Sequence, residues 1–206
     1  MPRSILLCAA VLAVSACGGA DRADQPRELR LTWRPTDDLN VVGPGAYGAA
    51  APVRVDLFID RRANQATIGE DARGRPARPL STPDLVPAFV SHGLAQVLPQ
   101  SGVPVVEGAS NRVLRGAVQN FFVREDNTYN GEVAVHAQLQ DGSGTVLYDS
   151  VVVGRSKRWG RSASAENYAE TYSNAVVEIA KHLLADPRFR AALGLAQSPL
   201  PLPTQP

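Results

Sequence analysis

The sequence predicts an α+β domain, an antiparallel β-sheet of about four to five strands with two principal helices packed on one face. Three observations predict it. Glu132 to Gln140 alternate apolar and polar residues, with Val133, Val135, Ala137 and Leu139 on one side. Asp141-Gly142-Ser143-Gly144 then gives a turn, and Thr145 to Val153 returns as the partner strand. Two longer stretches instead repeat apolar residues at helical spacing, from about Pro83 to Leu98 and from about Ala165 to Leu184.

Taken in order, Glu28 to Trp33 forms a short opening strand, and Pro35 to Pro52 is a long loop rich in proline, glycine and small residues. Val53 to Asp60 alternates, so Val53, Val55, Leu57 and Ile59 are expected on the buried face. Arg61 to Pro79 is a polar, arginine- and glycine-rich loop tacked to the core by Ile68. Thr82-Pro83-Asp84 supplies an N-cap hydroxyl, a proline at the first helical position and an early acid for the first helix, with Pro87 in its first turns and His92-Gly93 at its middle compatible with a late start or an imperfect helix. Ser101-Gly102 closes that helix before a short strand at Val103 to Val106. Val113 to Val123 is the next strand, with Gly116 marking a bend or a close contact.

Ser162 or Ser164 caps the last helix, whose buried face carries Tyr168, Tyr172, Ala175, Val176, Ile179 and Leu183. Asp186-Pro187 ends it, and Phe189 to Leu193 adds one more turn. The end of the chain, PLPLPTQP, is expected to be an extended or disordered tail.

The amino terminus carries a different signal. Arg3 precedes an apolar run from Ile5 to Val14, and Val14-Ser15-Ala16-Cys17 follows, the layout of a secretory signal and its processing site. The run is too short to span a bilayer, which takes about 18 to 20 residues. The arrangement resembles the lipobox of bacterial lipoproteins. That resemblance implies cleavage before Cys17, lipidation of its thiol and acylation of the new amino group. Each buried methylene adds about 0.8 kcal/mol, so several chains on one residue anchor firmly. Gly18 follows the cysteine, rather than the aspartate associated with inner-membrane retention, so the expected address is the periplasmic face of the outer membrane.

The chain holds 21 basic and 20 acidic residues, a balance that gives no general electrostatic reason for nucleic-acid binding. Cys8 lies in the segment to be removed and Cys17 carries lipid, so the folded part has neither a disulfide nor a thiol for catalysis. His92, His136 and His182 fall on separate elements without metal-ligand spacing. No G-x-S-x-G elbow occurs, and the acidic pairs Asp37-Asp38, Glu70-Asp71 and Glu125-Asp126 sit in polar loops. No catalytic residue, metal or cofactor is therefore assigned. The sharpest local feature is GRSKRWGR, where Arg155, Lys157, Arg158 and Arg161 surround Trp159. Cations beside an indole suit an anionic partner; the plainer alternative is a solvated connection from strand to helix.

The chain resembles the YajG-like family of bacterial envelope lipoproteins. The likeness is carried by Val53 to Asp60 with Ile68-Gly69, the helix ending Gly93-Leu94-Ala95-Gln96-Val97-Leu98, the strand Val113 to Phe122, Val133 to Tyr148 with its Asp-Gly-Ser-Gly turn, and the helix Tyr168 to Leu183. The resemblance implies an outer-membrane-attached periplasmic domain without an accepted catalytic motif. The Pro35 to Pro52 insertion and the proline-rich end depart from the pattern.

The expected organisation is a signal at 1–16, a lipidated tether at 17–27, one periplasmic domain at 28–193 and a proline-rich tail at 194–206. The expected role is non-catalytic binding or scaffolding toward an envelope protein or glycan. An auxiliary lipoprotein of an ABC-type lipid-transport complex is the second reading, and a hydrolase with a site not recognisable from sequence is the third.

Overall fold

The computed structural model describes residues 25–39 and 50–195, so the expected signal, Cys17 and most of the expected tail lie outside the described residues. The elements in chain order are β1 (Arg27–Glu28), β2 (Arg54–Val55), β3 (Ile59–Asp60), β4 (Gly69–Asp71), β5 (Arg78–Ser81), α1 (Val86–Gln100), β6 (Arg112–Glu125), β7 (Tyr129–Asp141), β8 (Val146–Arg158), α2 (Ala165–Ala185) and α3 (Pro187–Ala192).

The expected four-to-five-stranded antiparallel sheet is corrected to a mixed sheet of eight strands, accompanied by three helices rather than two among the described residues. The meander β6-β7-β8 is antiparallel, as its turns dictate, and each of its strands outruns its alternating core. The correction comes from the other side of β6. There β2, β3 and β4 line up end to end and all run parallel to it, while β5 pairs back on β4 and β1 lies parallel to β5. Parallel neighbours need a crossover, and α1 supplies it between β5 and β6. Strands of two to four residues are too short to show a period, so this half of the sheet looks like loop in the sequence.

The register shows why the expected face of Val53 to Asp60 fails. Val55 pairs with Leu114 but Ile59 with Ala117, so four steps on one strand face three on the other. One extra residue reverses the side-chain direction beyond it. Val53 is buried as expected, yet Leu57 is 64% and Ile59 52% exposed, and Phe58 turns inward to 2%. Gly116 answers it: a Cβ there would meet the Phe58 ring at 2.4 Å.

Other elements shift for local reasons. α1 begins at Val86 rather than Pro83, because Thr82 Oγ1 accepts from the Asp84 amide and the Asp84 carboxylate accepts from the Leu31 amide. The expected strands Glu28 to Trp33 and Val103 to Val106 shrink to β1 and to a single Val53–Val105 bridge. α2 runs from Ala165 with Ser164 at its N-cap, accepting from the Asn167 amide.

The helices cover one face. α2 lies along β7 and β8, α1 packs on β6 and against α2, and α3 closes over β8. An aromatic file runs through the core from Trp33 to Phe89, Phe121 and Tyr172, the last two rings stacked at 4.3 Å. Residues 34–37 strap α2 through Ser173 and Asn174, which explains two buried polar side chains on that helix.

Candidate functional site

One row crosses the end of the sheet: Arg78, Asp71, Glu125, Tyr129 and Arg158 are successive register partners. Beyond it lie the turns 72–77 and 126–128 and the connection 159–164. The first described residue is at the same end, for Arg78 Nε donates to the Gln25 carbonyl at 3.1 Å.

The five residues singled out by sequence divide here. Arg155, Lys157 and Arg158 belong to β8 rather than to a connecting loop. Arg155 points to the helix-free face and pairs with Glu132 at 2.9 Å. Arg158 points to the helix side, donates to Asn167 Oδ1 at 3.2 Å and ion-pairs with buried Glu170, which Arg34 also reaches at 3.3 Å. It is a packing residue. Trp159 stands 72% exposed past the strand end, with Lys157 and Arg161 also exposed. Among the described residues no carboxylate pairs with Lys157, Arg161 or Arg75.

The loop behind Trp159 is fixed from beneath. The Arg161 carbonyl accepts from Tyr129 Oη at 2.6 Å and Asn167 Nδ2 at 2.9 Å. Ala163 takes φ 54°, a left-handed conformation costly for a residue with a Cβ. Its amide donates to Glu125 Oε1 at 2.8 Å and its carbonyl accepts from Arg27 at 2.7 Å. Glu125 also takes Arg73 at 3.0 Å and the Tyr168 hydroxyl. Burial, reinforced by the Glu125 hydrogen bond, pushes the Tyr168 phenol well above the ordinary tyrosine range. The hydrogen bond from Arg73 holds Asp71 below the usual carboxylate range. The loop is thus tied to the sheet and to α2 through the backbone of Arg161, Ala163 and Ser164.

Sequence reasoning did not connect Arg73, Arg75 and Arg78 to this patch. They look like a polar loop in the sequence, and only the parallel β4–β6 register brings them to the same end of the sheet as residues some eighty positions later.

The helix-free face offers a shallow concavity of about 310 Å³ beside Leu57, Ile59, Arg115 and His136. His136 Nε2 lies 2.5 Å from Asp149 Oδ1, and this contact is the first cause holding the Asp149 carboxyl low. No serine, threonine or cysteine lines it among the described residues. His92 and His182 sit on α1 and α2, and no cluster of His, Cys, Asp and Glu suited to a metal ion occurs among the described residues. The groove between α1 and β2 mixes Arg54, His92, Gln96 and Glu107 with Val55 and Leu57. No helix among the described residues is long and apolar enough to cross a membrane.

These features define a one-sheet domain with helices on a single face. No protein-family model and no curated protein matches the sequence. In fold it is similar to a Xanthomonas campestris protein of the DUF330 family, with TM-score 0.50 and 11% identity over 76% of this chain and 91% of that one. Two other solved structures align less well. A PelC dodecamer from Paraburkholderia phytofirmans has 18% identity over 64% of this chain and 87% of that one, TM-score 0.39. A minor lipoprotein from Acinetobacter baumannii has 8% identity over 70% and 94%, TM-score 0.40. Such distant neighbours include proteins named as lipoproteins without singling out the YajG-like family.

Proposed function

We propose that this chain is a lipid-anchored envelope protein at the periplasmic face of the outer membrane, with a non-catalytic binding or scaffolding role of the YajG-like kind. In this reading residues 1–16 are a removed signal, 17–27 a lipidated tether, 28–193 the periplasmic domain and 194–206 a proline-rich tail. The partner is an envelope protein, glycan or lipid surface rather than a nucleic acid. The observation that carries the reading is Val14-Ser15-Ala16-Cys17 behind a basic residue and an apolar run, followed by a domain with no further cysteine. Gly18 after the cysteine supports the outer-membrane address. Labelling cells with radioactive palmitate and separating their membranes tests it. Label should enter the chain, sediment with outer membranes and vanish in Cys17→Ser; an unlabelled chain in the soluble fraction overturns the reading.

A further inference from the structure

We propose that the end of the sheet bearing Trp159 docks on an anionic phospholipid surface, so that the anchored domain sits down on its own membrane in one orientation. The inference rests on the anchor reading and adds to it the face turned toward the bilayer.

Three observations converge. The first is chain length: eight peptide steps separate Cys17 from Gln25, a span of at most about 28 Å even fully extended. Gln25 enters the fold at the end of the row Arg78, Asp71, Glu125, Tyr129, Arg158, so this end of the sheet is held nearest to any lipid on Cys17.

The second is charge. Asp71, Glu70 and Glu125 are consumed by Arg73 and Arg124. Arg75, Arg78, Lys157 and Arg161 remain without a carboxylate partner, against Glu28 and Asp126 without an ion pair. At the usual strand spacing, Arg78 and Arg158 lie about 19 Å apart across the row, so these cations share one broad surface rather than one pocket. Dispersed cations suit the smeared charge of a lipid leaflet, to which basic residues are drawn within a Debye length.

The third is Trp159. An indole this exposed, on a loop bonded through Arg161, Ala163 and Ser164, is held out into solvent. Tryptophan favours the headgroup level, where its ring is buried and its N–H stays wet. No groove adjoins it that would seat a single sugar or peptide among the described cavities.

The test uses the lipidated chain in vesicles, with Trp33→Phe leaving Trp159 as the sole indole. Vesicles of phosphatidylethanolamine with about one quarter phosphatidylglycerol are compared with pure phosphatidylcholine, each carrying brominated lipid as quencher. Trp159 emission should shift to the blue and be quenched in the anionic vesicles. Quenching should fall with added salt and drop about tenfold in partition in Lys157→Glu/Arg161→Glu, with Lys157→Arg unaffected. Equal emission in both vesicles overturns the docking. Flotation is read in parallel. A chain that floats without quenching keeps its anchor and loses the docking, whereas a chain that does not float loses the anchor. In that case the chain beginning at Gly18, which retains every described residue, is titrated with anionic vesicles, and absence of quenching at high lipid still overturns the proposal.

Discussion

The Tyr168 hydroxyl donates to the Glu125 carboxylate, joining the first turns of α2 to the last residue of β6 inside the core. Glu125 is 1% exposed and is also held by the Ala163 amide and Arg73. Removing it strands the Ala163 amide and the Tyr168 hydroxyl and leaves Arg73 with Asp71 alone. Glu125→Ala should cost about 3 kcal/mol in urea unfolding, and Tyr168→Phe about 1 to 2 kcal/mol.

Two of the buried tyrosines, Tyr168 and Tyr172, make the fold alkali-sensitive. Burial raises the Tyr172 phenol well above its ordinary 10.0, and burial with Glu125 raises Tyr168. Below pH 10 both states keep these protons and stability is unaffected. Above it the unfolded chain sheds protons that the folded chain retains, so stability falls as pH rises, by about 1.4 kcal/mol per pH unit for each such group. Tyr172→Phe should flatten the slope of unfolding free energy between pH 10 and 11. It also removes the hydrogen bond to the Ile68 carbonyl, so a lower plateau at pH 7 is expected with it.

The cations of GRSKRWGR should separate by mutagenesis. Arg158→Ala leaves buried Glu170 with Arg34 alone and should cost about 2 to 3 kcal/mol. Lys157→Ala and Arg161→Ala should stay within about 0.5 kcal/mol, because exposed side chains without an ion pair contribute little to folding. Thermal melts of the three variants at neutral pH check the contrast, and equal losses would refute it.

At Gly154 the backbone of α2 packs directly on β8. A Cβ there would lie 1.9 Å from the Ala175 carbonyl oxygen and 2.9 Å from the Ile179 amide nitrogen, both helix backbone. Backbone cannot swing aside as a side chain can, so Gly154→Ala should cost about 3 kcal/mol or more. Its urea midpoint should fall well below that of Val151→Ala, which trims an exposed residue on the same strand.

Legibility in the sequence followed element length. α2, with its Ser164 cap, and the β7–β8 hairpin around Asp141 to Gly144 were readable because each spans several periods and ends on distinct turn chemistry. β2 to β5 were not, since two to four residues carry no period and their partners are distant in sequence. Leu57 and Ile59 leave the face that alternation assigns them because one extra residue in the register is invisible in an alternating string. At the site, Trp159 and its flanking cations stand out by composition, but the inward turn of Arg158 toward Glu170 and the placement of Arg75 and Arg78 at the same end of the sheet exist only in three dimensions.

The end-to-end file of β2, β3 and β4 along β6 also fixes an order of assembly. A chain emerging amino terminus first exposes residues 54–71 before the strand they pair with has appeared. The β6–β8 meander closes by short turns and can form early, whereas the parallel segments must wait for a distant partner. Pulse-labelled hydrogen exchange should find amides of β7 protected before those of residues 59–69. Whatever holds the chain while it folds must therefore shield residues 54–71 longer than the meander that follows them.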